Sequence, residues 1–320
     1  MNDAAKNLRL LAGNANPELA QEISKYLDIP LVDAQVGHFN NGEIQVMIGE
    51  SVRGKDIFII QPTCQPVNEN LMELLIMTDA CKRASARSVT AVVPYYAYAR
   101  QDRKTRGREP ISAKLVANLM SAAGLNRVVT VDLHAGQIQG FFDIPVDHLA
   151  AAPALADYFR KLDLDDMIVV SPDLGGVTRA RNMADLLGTG IAIVEKRRPR
   201  PGCAEVMNLI GEVKDKTCIM IDDMVDTAGS LCEGAKALKK LGAKEVYACC
   251  SHGILTDPAV QRIQDSCIKQ LVITNTIPLD PAKKHEKIVS ISLAPMLAEF
   301  IKCIYENEPV SNLFDKNWAN

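Results

Sequence analysis

The sequence predicts an α/β protein of two domains, each a mostly parallel sheet flanked by helices. Three observations carry that expectation. Short apolar runs rich in Val and Ile alternate with longer segments whose apolar residues recur at helical spacing. This is the pattern of strands buried on both faces and joined by crossover helices. The alternation restarts after about residue 150, and the 320 residues are enough for two domains with cores of their own.

In the first half, residues 8–12 read as a strand ended by Gly13. Asn16-Pro17 opens a helix, with Asn as cap and Pro at the first helical position, and Leu19, Ile23 and Leu27 form its buried face. Residues 56–60 are a buried strand stopped by Pro62, and 68–86 a long helix. Residues 89–93 are a strand, 112–123 a helix with Gly124 behind it, and 127–131 a strand ending at Asp132. In the second half, helices are expected at 153–162, 178–187, 231–241 and 258–263, and a last one at 292–305. Strands are expected at 167–171, 191–194, 217–221, 246–250 and 271–274. Gly188 and Gly242 stand where helix-closing glycines belong.

Composition narrows the function classes. A net charge of −3 gives no bulk electrostatic case for nucleic acid or for a membrane surface. The nine cysteines are scattered and mostly lie in apolar runs, without a C-x-x-C. Reduced core cysteines in a cytoplasmic protein account for them better than zinc or disulfides do. The N-terminus lacks a signal peptide's apolar core, and no apolar run is long enough to span a bilayer.

One stretch organises the rest: Thr217-Cys218-Ile219-Met220-Ile221-Asp222-Asp223-Met224-Val225-Asp226-Thr227-Ala228-Gly229-Ser230. An apolar strand ends in two carboxylates, a loop of small residues follows, and a helix begins. Free backbone N–H groups and the helix dipole favour an anion at 227–230, and small side chains let a phosphate approach. Asp222 and Asp223 can accept hydrogen bonds from sugar hydroxyls, so one loop can hold a ribose and its 5-phosphate. A plainer reading makes Asp226 or Thr227 a helix cap. A Walker B strand is a weaker one, because no G-x-x-x-x-G-K-[ST] occurs in the chain.

Five more stretches carry chemistry. Gly37-His38-Phe39-Asn40-Asn41-Gly42-Glu43 reads by itself as a hairpin loop. From Arg100 to Arg108 six of nine residues are charged, five of them basic. This run follows a strand's carboxyl end, where open α/β sheets bind ligands, and it is placed to meet a triphosphate. Asp173, followed by Gly175-Gly176, ends another strand and can take a metal and a pyrophosphate-like anion. Lys196-Arg197-Arg198-Pro199-Arg200 is basic and bounded by prolines. It reads either as a solvated turn or as a mobile lid whose cations meet developing phosphoryl charge. His134, next to a strand end in Val131-Asp132-Leu133-His134-Ala135-Gly136, reads alone as structural.

Asp222 to Ser230 resembles the phosphoribosyl-diphosphate loop of the type I phosphoribosyltransferase superfamily. The five stretches in order resemble the ribose-phosphate diphosphokinases within it, over the chain from about Leu8 to the C-terminal region. The resemblance implies two related domains, 1–150 with the ATP-side loops and 151–320 with the ribose 5-phosphate and catalytic loops. The last helix is expected to pack back on the first domain. The implied reaction transfers the diphosphoryl group of Mg-ATP to the anomeric hydroxyl of ribose 5-phosphate, giving AMP and 5-phosphoribosyl 1-diphosphate for nucleotide biosynthesis. The resemblance assigns Phe39, Asn41, Glu43, Arg100 and Gln101 to ATP, with Phe39 stacking on adenine. It assigns His134 and Asp173 to magnesium, and Lys196 and Arg198 to catalysis. Asp222, Asp223, Asp226, Thr227, Ala228, Gly229 and Ser230, with Arg198, fall to ribose 5-phosphate. Relatives usually carry Asp where this chain has Asn41, Gly or Cys at Ala228 and Thr at Ser230. A cytoplasmic homo-oligomer, commonly a hexamer, is implied, with phosphate and ADP as regulators. Arg53, Lys104 and Asp143 lie in segments linked to that regulation.

Three rivals share parts of this pattern. A phosphoribosyltransferase would use the same 222–230 loop without needing the adenine loop or the basic loops. A non-catalytic partner of the enzyme should have lost the cationic loop, yet Lys196 and Arg198 are present. A transcriptional regulator on this fold would need an added basic DNA-binding domain.

Overall fold

A computed structural model describes residues 6–197 and 206–313, which cluster into two compact units. The first unit runs through Ala150 and adds Thr276–Pro278 and the segment from Ser292 on. Its sheet has the order β1 (Leu8–Ala12), β4 (Asp56–Ile60), β5 (Ser88–Val93), β6 (Arg127–Val131), β7 (Val146–Leu149). Every neighbouring pair in it is parallel. The near-continuous burial of the central strands β4, β5 and β6 is what coverage on both faces requires. α1 (Pro17–Leu27), α2 (Val67–Arg83), α3 (Ser112–Ala123) and α8 (Ala294–Glu306) provide the helices. α1 begins as expected: Asn16 Oδ1 accepts from Leu19 N at 3.1 Å, Pro17 opens the helix, and Leu19 and Ile23 are buried. α8 packs in this unit too, where the Tyr26 hydroxyl donates to Glu299 and Ser292 Oγ donates to Glu22.

The second unit comprises Ala151–Asn275 and Leu279–Ile291 among the described residues. Its sheet has the order β10 (Val206–Ile210), β9 (Gly190–Arg197), β8 (Met167–Ser171), β11 (Thr217–Val225), β12 (Glu245–Gly253), β13 (Leu271–Thr274), β14 (Ile288–Ile291). The β9–β10 pair alone is antiparallel in it. α4 (Ala152–Lys161), α5 (Val177–Leu187), α6 (Gly229–Lys240) and α7 (Ala259–Asp265) connect the strands. The core joins Val170, Met220, Leu231, Leu238, Val246 and Ile273, and each large aliphatic side chain so buried contributes ~1.5–3 kcal/mol.

Several elements differ from expectation. β11 does not stop at Ile221 but continues to Val225, because its pairing with β12 continues through Asp222↔Cys250, Met224↔His252 and Val225↔Gly253. β9 continues to Arg197 because β10 pairs with it through Val206↔Arg197. The hairpin β2 (Ala34–His38) and β3 (Ile44–Ile48) forms from half-exposed residues whose alternation is shallow. Neither Asp226 nor Thr227 caps α6: its N-cap is Ala228, at φ 58°, with no side-chain capping bond. Leu241 lies past the end of α6 and is exposed, with Gly242 behind it at φ 92°.

Candidate functional site

The second unit builds its site at the carboxyl edge of β8 and β11. β8 pairs with β11 only through Val170↔Met220. The last residues of β11 therefore overhang β8, held on the other side by β12. Asp222 and Asp223 sit on that overhang. Arg179, from the first turn of α5, spans them: Nη1 lies 3.4 Å from Asp222 Oδ1 and 3.6 Å from Asp223 Oδ1. Asp222 Oδ1 also accepts from Asp223 N at 2.8 Å. Burial first, then the hydrogen bond and the charge of neighbouring Asp223, push the Asp222 carboxyl up to about 7, while Arg179 opposes them. Such a carboxylate changes its acceptor capacity near neutral pH.

Beyond the pair the chain turns through Asp226 and Thr227 into α6. Thr256 Oγ1 donates to Asp226 Oδ1. Arg262 Nη1 donates to the Thr227 carbonyl at 2.9 Å. Ile254 N and Leu255 N both donate to Val225 O, at 2.9 and 3.0 Å. Ala228 is buried, while Thr227 and Ser230 are exposed at the start of the helix. A loop pinned on both sides, leading into helix amides that have no partner within α6, can receive an anion without rearranging.

Asp173 lies just past the end of β8 and is exposed, with its Oδ1 accepting from Gly176 N at 2.9 Å. That bond fixes the 173–176 turn. Gly176 is required there, since a Cβ would stand 2.9 Å from Ser171 Oγ. No group of three His, Cys, Asp or Glu side chains forms a metal cage among the described residues. A fixed, exposed carboxylate is a donor that magnesium accepts, since this ion completes its shell with water and substrate phosphates. Lys196 lies on β9 opposite Met207, with its side chain outside the described residues, as is all of Arg198.

The first unit places its residues on two features. Phe39, Asn41 and Glu43 form the exposed tip of the β2–β3 hairpin, closed by Phe39 N to Glu43 O at 2.8 Å and by Glu43 N to Asn41 Oδ1 at 3.2 Å. Phe39 is 49% exposed, which leaves its ring open to stacking. The hairpin is held by a network that starts at the exposed Asn14 and runs inward to buried Gln61 and Glu73. Asn14 Nδ2 donates to Val36 O at 3.1 Å and to Glu73 Oε2 at 2.8 Å, and Gln61 Nε2 donates to Glu73 Oε1 at 2.8 Å. Arg100 and Gln101 follow β5, and His134 follows the adjacent β6. Gln137 Nε2 donates to Asp102 Oδ2 at 2.8 Å, tying the basic segment to the loop after His134. Glu109 Oε2 shapes the same segment by accepting from Thr105 N, Thr105 Oγ1 and Arg106 N at 2.8–2.9 Å.

Arg179, Thr256 and Arg262 escaped the sequence reading. Arg179 lies just beyond Asp173 and Gly175-Gly176 in the sequence, and its spacing from Asp222 gave no signal. Thr256 and Arg262 reach the loop only through the β12–α7 connection.

Residues 8–124 match the model of the N-terminal domain of ribose phosphate pyrophosphokinase, and residues 196–315 that of the phosphoribosyl synthetase-associated domain. The chain is 59% identical over 317 residues to the ribose-phosphate pyrophosphokinase of Clostridium perfringens, covering 98% of this chain and 99% of that one. It is 58% identical to the enzyme of that name from Bacillus caldolyticus, covering 98% and 100%. The crystal structure of phosphoribosylpyrophosphate synthetase from Mycobacterium smegmatis superposes with a TM-score of 0.89 at 47% identity, covering 94% of this chain and 99% of that one.

Proposed function

The chain belongs to the ribose-phosphate pyrophosphokinase family and makes 5-phosphoribosyl 1-diphosphate from ATP and ribose 5-phosphate; we propose that its two units divide the work of that reaction. The first unit carries the nucleotide-facing residues: Phe39, Asn41 and Glu43 on the hairpin tip, and Arg100 and Gln101 after β5. The second carries the ribose 5-phosphate site: Asp222 and Asp223 for the hydroxyls, and residues 226–230 for the phosphate. The observation that carries this reading is the acidic pair on the β11 overhang, bridged by Arg179 and continuous with the pinned loop that opens α6. Magnesium, which the family generally uses, would meet Asp173 in the second unit and His134 in the first, each alongside substrate phosphates, and would supply charge neutralisation.

The anomeric hydroxyl of ribose 5-phosphate attacks the β-phosphorus of ATP. The bond from that phosphorus to the oxygen of the α-phosphate breaks, and AMP leaves. Transfers of this kind are accelerated by positioning and by charge complementarity rather than by a protein nucleophile. Asp222 and Asp223 orient the acceptor sugar, and Lys196 and Arg198 meet charge that develops on the transferring group. The exposed Phe39 at the hairpin tip favours a nucleotide site completed by a second copy of the chain, in a homo-oligomer such as a hexamer. Phosphate and ADP as regulators, and a cytoplasmic location, belong to the same proposal. No helix among the described residues is long and apolar enough to cross a membrane.

The test is the Lys196→Ala variant. Losing a charge partner used only in the transition state should lower kcat by about a hundredfold or more. Calorimetric titration should still register both substrates. Undiminished turnover would reduce the segment to a solvated turn, and lost ribose 5-phosphate binding would move Lys196 into the ground-state site.

A further inference from the structure

We infer that Arg262 is a further positioning residue of the sugar-phosphate subsite, acting through the Thr227–Ala228 peptide. The inference rests on the reading of residues 226–230 as the phosphate loop. Arg262 comes from α7, outside every stretch that resembles a phosphate-binding motif. Its Nη1 donates to Thr227 O at 2.9 Å. It also lies so close to the start of α6 that a Cβ added to Gly229 would stand 3.3 Å from it. Its backbone is tied to the same helix, since Cys232 Sγ donates to Arg262 O at 3.5 Å.

Two physical consequences follow. A trans peptide is planar, with its carbonyl and its N–H pointing in opposite directions. Drawing the Thr227 carbonyl toward α7 therefore turns the Ala228 N–H away from Arg262 and fixes it there. A charge-assisted bond at the carbonyl also polarises that peptide and makes its N–H a stronger donor. The second consequence concerns charge. The N-terminus of α6 is the positive end of a helix dipole, where a cation is disfavoured. A guanidinium set against Gly229 raises that positive potential further. An anion at 227–230 removes the conflict and gains from both fields, so the arrangement is selective for a doubly charged phosphate monoester over an uncharged sugar. Thr256, in the β12–α7 connection, holds Asp226 and braces the other side of the loop.

The experiment measures steady-state KM for ribose 5-phosphate and for ATP in Arg262→Ala, Arg262→Lys and Asp222→Asn, with melting temperatures recorded alongside. Arg262→Ala should raise the ribose 5-phosphate KM about tenfold, the loss of one charge-assisted bond, with the ATP KM within about twofold of wild type. Arg262→Lys should recover most of that loss. Three results overturn the inference: no change in the ribose 5-phosphate KM, an equal rise in both KM values, or Arg262→Lys performing no better than Arg262→Ala. If Arg262→Ala melts below the assay temperature, Arg262→Gln against Arg262→Lys decides on the same criteria. Asp222→Asn separates the two levels. If it leaves the ribose 5-phosphate KM unchanged, the assignment of the whole site fails. If it raises that KM while Arg262→Ala does not, only the role of Arg262 fails.

Discussion

Replacing Arg179 by Gln should move the pH at which ribose 5-phosphate binding strengthens upward by about one unit. Arg179 lies 3.4 Å from Asp222 and 3.6 Å from Asp223. At an effective dielectric constant of ~20, each contact is a Coulomb attraction of about 5 kcal/mol. The Asp222 side chain is 34% exposed and that of Arg179 21%. Screening and the desolvation of three charges therefore leave ~1–2 kcal/mol of net effect, close to one pKa unit. The direction follows from the causes. Burial and the Asp223 carboxyl push Asp222 up to about 7, and Arg179 first, then the Asp223 amide, hold it down. The Cys250 thiol, on the neighbouring strand β12, also faces the pair and is itself pushed up by burial. In the folded chain Asp222 binds its proton more tightly than its ordinary value of 3.8 allows. Its contribution to stability is therefore best below that value and falls as pH rises toward about 7.

Function runs the other way, because the ionised carboxylate is the better acceptor for sugar hydroxyls. The assay is the ribose 5-phosphate KM from pH 6 to 9 in wild type and Arg179→Gln. In wild type the KM should fall as pH rises through about 7, and in Arg179→Gln the same fall should come about one unit higher. Titration of the substrate phosphate contributes equally to both curves and cancels in the comparison. An unmoved midpoint, or one shifted downward, would refute the pairing as the control on Asp222.

Three further outcomes concern the hairpin tip and the metal. Asn41→Asp, which puts a carboxylate at the hairpin tip, should change the apparent ATP affinity or the preference for ATP over GTP while the ribose 5-phosphate KM stays put. Parallel kinetics with both nucleotides check this, and no change in either nucleotide parameter would remove the hairpin tip from the nucleotide site. Activity should vanish in excess chelator and return with magnesium, because ATP carries about four negative charges that the protein's cations alone do not neutralise. Asp173→Ala should raise the magnesium concentration giving half-maximal rate, and an unchanged magnesium curve would free Asp173 of that role.

Much of the fold was legible because its signals are local. Asn16-Pro17 starts α1 where cap and ring chemistry say it should, and the apolar runs at 56–60 and 127–131 are strands of a parallel sheet. The acidic pair was legible as chemistry but misplaced as structure. Two adjacent carboxylates look like a strand end, yet pairing with β12 carries the strand through them to Val225. Tertiary pairing overrode a low strand propensity, which is common for this weak preference. The β2–β3 hairpin was legible at its turn, where residues 37–43 read as a hairpin loop, but not in its strands: neither face is fully buried, so their alternation lacks contrast. Arg179, Thr256 and Arg262 were illegible because their partners are 43, 30 and 35 residues away. A lone arginine on a helix reads as a solvated surface residue until the fold brings its partner beside it.

The central claim is that the diphosphoryl group moves as one unit from ATP to the anomeric hydroxyl of ribose 5-phosphate. Phosphorus NMR of the reaction with ATP, ribose 5-phosphate, magnesium and inorganic phosphate tests it directly. AMP and 5-phosphoribosyl 1-diphosphate should appear in equal amounts, and omitting ribose 5-phosphate should abolish both. ADP together with a singly phosphorylated C1, or AMP released at the same rate without the sugar, would contradict the account.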